Sequence, residues 1–85
     1  MKVTVLYFAR LREALGRDRE TVEPPADVTT VGALRAWLIA RGAPWSVAFS
    51  EIRRIRAAVD QQMAADDTPL ADGAEVAFFP PVTGG

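Results

Sequence analysis

The chain has 85 residues, of which 49% are hydrophobic and 25% are charged, and it contains neither cysteine nor histidine. A chain of this length forms one domain with a small core, and without those two residue types it has no disulfide framework, thiolate nucleophile or imidazole base. Ten basic and eleven acidic residues give a net charge of −1, which argues against a general nucleic-acid binder.

The first predicted strand covers residues 2–8, which are β-branched and aromatic. Residues 10–15 predict a short helix that ends at Gly16, since glycine readily adopts the left-handed conformation of a helix end. Residues 19–23 alternate in polarity and predict an edge strand, which the two following prolines would end. Alternation gives the first strand two faces, with Val3, Val5 and Tyr7 on one and Thr4, Leu6 and Phe8 on the other.

A longer helix is predicted to begin after Thr30, whose side chain can cap it. Gly42 and Pro44 mark its end, and Pro44 also suits the start of a second short helix that carries Trp45. The apolar stripe of the longer helix has helical spacing and consists of Val31, Leu34 and Leu38.

The apolar residues of 51–64 fit both a helical and an alternating pattern. We predict two short strands here, joined by the turn pair Asp60-Gln61, with residues 62–64 as the returning strand. That pair is a weaker turn signal than Asn-Gly. Residues 74–79 predict the final strand, because β-branched and aromatic residues precede two prolines.

The predicted order is strand, strand, helix, strand, strand, strand, with short helical additions. The first and last strands can pair in parallel because a long crossover separates them. The predicted fold is therefore α+β, a β-grasp with a mixed sheet of about five strands and one main helix on one face. Residues 1–79 would form the domain and residues 80–85 a flexible tail. No segment has the pattern of a membrane helix or a signal peptide, so we expect a cytoplasmic protein without a membrane partner.

The last six residues carry the strongest functional signal. Gly84 and Gly85 lack side chains and can enter a channel too narrow for other residues. A carboxylate on Gly85 can be activated as a mixed anhydride and then attacked by a nucleophile. Pro80 and Pro81 stiffen the base of this tail, which spans at most about 20 Å when extended. An inert, frayed terminus is the alternative interpretation.

Apolar side chains on both faces of the last strand predict a docking surface. Glu75 marks its own face as the solvent side, so parity assigns Phe78 to the core and Phe79 to the outer face. Phe8 would share that outer face, and Met63 can join from the returning strand. The alternative is a second layer, such as the short helices, that covers the face.

Three further groups have ordinary structural interpretations. The first, a group of three arginines, is either a solvated face or a contact for an acidic partner. The second, a group of three aspartates, lies in turns and lacks the spacing of a calcium loop. The third, a pair of tryptophans, is assigned to packing. No metal site is predicted. These groups are Arg53, Arg54 and Arg56; Asp66, Asp67 and Asp72; and Trp37 and Trp45.

Three segments carry a resemblance to a known family: VAFFPPVTGG at 76–85, PLADGAE at 69–75 and VLYFARLRE at 5–13. They resemble the small subunits of molybdopterin synthase, a family of ubiquitin-like sulfur carriers, and the resemblance covers essentially the whole chain. The turn pair Asp60-Gln61 departs from the asparagine-containing turn of that family.

The resemblance implies a β-grasp fold and a carrier that is not an enzyme on its own. An adenylating, E1-like activating enzyme would consume ATP to adenylate the carboxylate of Gly85, next to Gly84, and a sulfur donor would convert it to a thiocarboxylate. The tail would then enter the large subunit of the synthase, where its sulfur forms the dithiolene of molybdopterin. The carrier would bind no cofactor. The residues expected to contact partners are Phe8, Met63, Phe79, Pro80, Pro81, Val82 and Thr83.

Three other functions stay open. A sulfur carrier of the thiamine pathway would share the fold and the two glycines, although the phenylalanine and prolines of the tail argue against it. A ubiquitin-like modifier would be attached to lysines through Gly85. A plain interaction domain with an inert tail is the third, and it alone predicts that the terminal residues are dispensable.

Overall fold

The computed structural model describes residues 1–81, which form one mixed sheet and three helices. The predicted strands 2–8, 19–23 and 74–79 each prove slightly shorter than expected, whereas the predicted type of every element is confirmed. The elements are β1 (Val3–Tyr7), α1 (Ala9–Leu15), β2 (Arg19–Val22), α2 (Val31–Ala40), α3 (Trp45–Glu51), β3 (Arg56–Val59), β4 (Gln62–Ala64) and β5 (Glu75–Phe79).

The strands lie in the order β2-β1-β5-β3-β4. The central strands β1 and β5 are parallel, while β2, β3 and β4 pair with their neighbours in antiparallel fashion. The main helix α2 connects the N-terminal hairpin to the C-terminal strands and packs on one face of the sheet. This order and pairing confirm the predicted β-grasp architecture.

Local sequence signals set the ends of the helices. The hydroxyl Oγ1 of Thr30 accepts a hydrogen bond from the backbone N–H of Ala33 at 3.2 Å, which caps the first turn of α2. Gly16 has a φ of 71° after α1, and its N–H donates to the carbonyl of Arg12 at 2.9 Å. This left-handed geometry costs glycine little, so α1 ends where the sequence predicts.

The ambiguous segment forms the two predicted short strands. Asp60 and Gln61 join them with φ values of 48° and 70°, which give the turn the twist that a two-residue hairpin requires. Asp60 also ties this turn to β5, because its backbone N–H donates to the carbonyl of Glu75 at 2.8 Å and its carboxylate accepts from the N–H of Glu75 at 3.0 Å. These bonds offset the weak turn propensity of the pair.

The core lies between the sheet and the helices. Phe78 of β5 is fully buried there, and its ring meets that of Phe49 edge to face at a centroid distance of 5.5 Å. No helix in residues 1–81 is long and apolar enough to cross a membrane. The largest fully buried side chains are those of Tyr7, Phe78, Leu11, Leu34, Leu38, Val3, Val5, Val31 and Val76.

A polar network centred on Glu20 joins β2 to the rest of the fold. Its carboxylate accepts hydrogen bonds from the Tyr7 hydroxyl at 2.7 Å, Arg41 at 3.1 Å and Arg17 at 3.3 Å. Trp45 donates from its indole N–H to the Tyr7 oxygen at 3.3 Å, and the Arg41 guanidinium stacks 3.9 Å from the centroid of a Trp45 ring. Burial alone would raise the pKa of Glu20, but these hydrogen bonds and the two arginine charges outweigh it and lower that pKa.

This network predicts an acid-sensitive contribution to stability. Because the pKa of Glu20 is lower in the folded chain than in the unfolded one, its contribution is complete above about pH 4.3 and is lost as the pH falls through the folded value. The substitution Glu20→Gln keeps an acceptor for Tyr7 and removes the charge. We expect it to cost about 1.5 kcal/mol at pH 7, and the two thermal midpoints should converge as the pH falls through the folded pKa of Glu20. A constant difference across this range in calorimetry would contradict the assignment.

Candidate functional site

The face of the sheet opposite the core, here called the outer face, carries a row of apolar side chains. Direct cross-strand partners point to the same face of a sheet. Leu6 of β1 pairs with Ala77 of β5, Ala77 pairs with Ala58 of β3, and Ala58 pairs with Met63 of β4. Four strands therefore contribute to one shallow apolar row, with small residues at its centre.

A second row lies at the end of the sheet where the chain leaves β5. Phe79, the last residue of β5, pairs with Arg56, the first residue of β3. Phe8 follows β1 directly, and its backbone N–H donates to the carbonyl of Phe78 at 3.2 Å, which holds it beside this row. The predicted parity is confirmed, since Phe78 is fully buried and Phe79 is half-buried on the outer face.

Exposure differs among the predicted contact residues. Met63 is 63% exposed and Phe8 is 46% exposed, whereas Phe79 is half-buried. Leu6 also lies on the outer face, as predicted, but is only 8% exposed because strands flank it on both sides. The buried residues of the short helices α1 and α3 lie in the core on the other side of the sheet: Leu11, Leu15, Trp45 and Ala48. The alternative of a second layer covering Phe8 and Met63 is therefore wrong.

The base of the tail borders a groove of about 550 Å³ next to the second row. Pro80 and Pro81 are half-buried and form one side of this groove. The opposite side comes from the start of α1 and from the segment after α3. The lining residues are Ala9, Arg10, Glu51, Ile52, Arg53, Pro80 and Pro81.

The chemistry available around the tail base is charge binding and apolar contact. The groove offers guanidinium and carboxylate groups, and the chain has neither a thiol nor an imidazole. Within residues 1–81, no group of three or more acidic side chains is placed to hold a metal ion. This surface therefore offers charged groups and apolar contacts for binding.

Four of the predicted site residues lie outside the described residues: Val82, Thr83, Gly84 and Gly85. Of the other five, the structure brings four together at the tail end of the sheet: Phe8, Phe79, Pro80 and Pro81. Met63 lies farther away, on the edge strand β4.

Sequence reasoning missed the groove and its arginine at position 10. The groove is assembled from residues 9–10, 51–53 and 80–81, which are far apart in the chain and share no pattern. The one sequence feature that indicated this region was the group of Arg53, Arg54 and Arg56. In the structure, Arg54 has a φ of 58°.

Comparisons with known proteins agree along the whole chain. Residues 5–85 match the model of the ThiS family. The chain is 47% identical to the molybdopterin synthase sulfur carrier subunit of Escherichia coli, with 98% of this chain and 99% of that protein covered. It is 41% identical to the subunit of the same name from Mycobacterium tuberculosis, with coverage of 100% and 99%.

A solved structure shares the fold. The crystal structure of the small archaeal modifier protein 1 of H. volcanii superposes with a TM-score of 0.75 at 27% identity, covering 95% of this chain and 98% of that one.

Proposed function

The chain belongs to the ThiS family, and from this premise we propose that it is the sulfur carrier subunit of a molybdopterin synthase. In that role it is a non-catalytic subunit, which presents sulfur to a larger partner. The observation that carries the proposal is that the family match runs through residue 85, so the two glycines fall within the shared sequence. The cytoplasmic location stays a prediction.

The proposed chemistry takes place on the carboxylate of Gly85. One of its oxygens attacks the α-phosphorus of ATP in an activating enzyme, and pyrophosphate leaves. The outer sulfur of a persulfide on the sulfur donor then attacks the acyl carbon of this adenylate, and AMP leaves. A thiol attacks the inner sulfur of the resulting acyl disulfide, so the donor leaves as a disulfide with that thiol and the thiocarboxylate is released. In the synthase, this sulfur bonds to the pterin precursor, and water then cleaves the acyl–sulfur bond, which leaves the sulfur on the pterin and restores the carboxylate. The carrier itself holds neither ATP nor a metal in this scheme.

The outer face supports docking of the partners. Phe8 and Met63 expose large apolar surfaces that a monomeric domain does not need, and Phe79 lies between β1 and β3 beside them. Pro80 and Pro81 follow directly, so a partner seated on this face also meets the base of the tail. We propose that the large subunit of the synthase binds here and receives the tail.

Mass spectrometry of the activated protein tests the proposal. Incubation with a cognate activating enzyme, ATP and a sulfur source should raise the mass by the difference between one sulfur and one oxygen atom, and fragmentation should place the change at Gly85. Omission of ATP is the control, because without it the carboxylate has no leaving group. An unchanged mass with an activating enzyme that thiolates its own carrier would contradict the proposal.

A modifier role is the second candidate, favoured by the likeness to the archaeal modifier protein. It predicts an isopeptide bond between Gly85 and a lysine of another protein. The same activated sample, supplied with a cell extract, separates the two functions. A carrier gives thiocarboxylate and free protein, whereas a modifier gives branched peptides that end in the tail.

A further inference from the structure

Four arginines surround the point where the tail leaves the sheet. Arg56 is the cross-strand partner of Phe79, the last residue of β5. Arg10 lies in the first turn of α1, just after the parallel neighbour of β5, and Arg53 lines the tail groove with it. Arg54 precedes β3 at the same end. All four side chains are exposed, and we call Arg10, Arg53, Arg54 and Arg56 the basic cluster.

The fold does not use these four charges. In residues 1–81 the ion pairs are formed by other arginines, Arg17 and Arg41 with Glu20 and Arg35 with Asp66. The basic cluster contributes to none of these pairs. Its charges therefore stay available to a group outside the domain.

Although the net charge of the chain is small, its charged residues are unevenly distributed: acidic residues lie at one end of the sheet and the basic cluster at the other. Three acidic residues lie at the end opposite the tail, where Asp60 bonds to Glu75 and Asp72 accepts from the backbone N–H of Lys2 at 2.7 Å. At the tail end, Glu51 lines the groove between the arginines of the cluster. Glu13 lies beside Arg10 and Glu51 in the neighbouring cleft. Four positive charges against these two carboxylates leave the tail base positive.

We propose that the basic cluster docks on an acidic surface around the opening of the large subunit that receives the tail. This inference rests on the proposed function and adds the chemistry of the partner surface. Attraction between the two surfaces would align the tail with its channel before apolar contacts form, so it acts on the association rate. Four clustered positive charges match a small acidic patch on a protein surface. An RNA partner would favour a more extended basic surface, which a chain of net charge −1 does not offer.

Charge reversal at matched positions tests the inference. Arg53→Glu and Arg10→Glu place the change in the basic cluster, while Lys2→Glu makes the same change in net charge at the opposite end of the sheet. The probe is the cognate large subunit, with association and dissociation followed by stopped-flow fluorescence at low and high salt. We expect Arg53→Glu, the match for Lys2→Glu in net charge, to associate about threefold more slowly at low salt, and the combined Arg10 and Arg53 variant about tenfold more slowly, with dissociation rates almost unchanged. Lys2→Glu should behave like the wild type.

Each other outcome overturns the inference in a recognisable way. Equal slowing by Lys2→Glu would show that net charge alone matters, and association rates independent of both charge and salt would show that the cluster is not used. Binding of a single-stranded RNA that the combined variant loses, with unchanged association to the large subunit, would assign the cluster to RNA. Failure of the wild type to bind the large subunit would contradict the proposed function itself.

Discussion

Deletion of Gly85 is expected to abolish sulfur transfer and to leave the fold intact. The deletion moves the carboxylate one residue closer to the domain, which shortens the reach of the tail by about 3.5 Å. Reacting atoms must approach within about 3–3.5 Å, so the shortened tail cannot present its carboxylate to a site built for the full length. Single-turnover formation of molybdopterin with the large subunit measures this loss, and calorimetry should give an almost unchanged thermal midpoint.

Gly84→Ala is the matched control for this deletion. It keeps the length of the tail and the position of the carboxylate, and it adds one methyl group. If the tail enters a narrow channel, this variant should transfer sulfur more slowly than the wild type but faster than the deletion. Full transfer by the chain that lacks Gly85 would sink the carrier proposal, because an inert tail alone predicts it.

Phe78→Ala is expected to cost about 3–5 kcal/mol of folding free energy. The Phe78 ring is fully buried, packs edge to face on Phe49, and lies under the Arg35 guanidinium at 5.5 Å from the ring centroid. Its removal leaves a cavity between the central strands and the helices. Because small domains are stable by only about 5–15 kcal/mol, calorimetry should show a large fall in the thermal midpoint.

Phe79→Ala makes the same change one residue further along the strand and should act on binding instead. This ring lies half-buried on the outer face, so its loss should alter the thermal midpoint little. We expect affinity for the large subunit to fall by about 2 kcal/mol, or roughly 30-fold, in a calorimetric titration. The opposite pattern, with Phe79→Ala unfolded and Phe78→Ala stable, would move the docking surface to the other side of the sheet.

The sequence predicted those parts of the fold that depend on neighbouring residues. Thr30 as a cap, Gly16 as a helix end and the alternation of Phe78 and Phe79 each follow from local chemistry, and the structure confirms them. The choice of strands in 51–64 was harder, because the turn pair Asp60-Gln61 is weak by itself. Its bonds to β5 stabilise it, and no local pattern reports those bonds.

Features built by distant segments could not be predicted in this way. Glu20 has the pattern of an ordinary polar residue on an edge strand, yet its partners Tyr7 and Arg41 are 13 and 21 residues away in the chain, and only Arg17 is local. The tail groove is assembled from three segments for the same reason. The proposal that the end of the tail is reactive comes from composition and resemblance, and this end lies outside the described residues.

Because β5 lies in the centre of the sheet, the domain can fold only after this strand has been synthesised. β5 is the last strand to be made, yet β1 and β3 both pair with it, and it brings Val76 and Phe78 into the core. A nascent chain interrupted before residue 75, where β5 begins, therefore leaves one open edge on β1 and one on β3 and an unfilled interior. Such a product cannot fold and occupy the partner as a dead-end competitor. Translation must nearly reach the tail before a dockable domain exists, so docked carriers are those with the complete last strand.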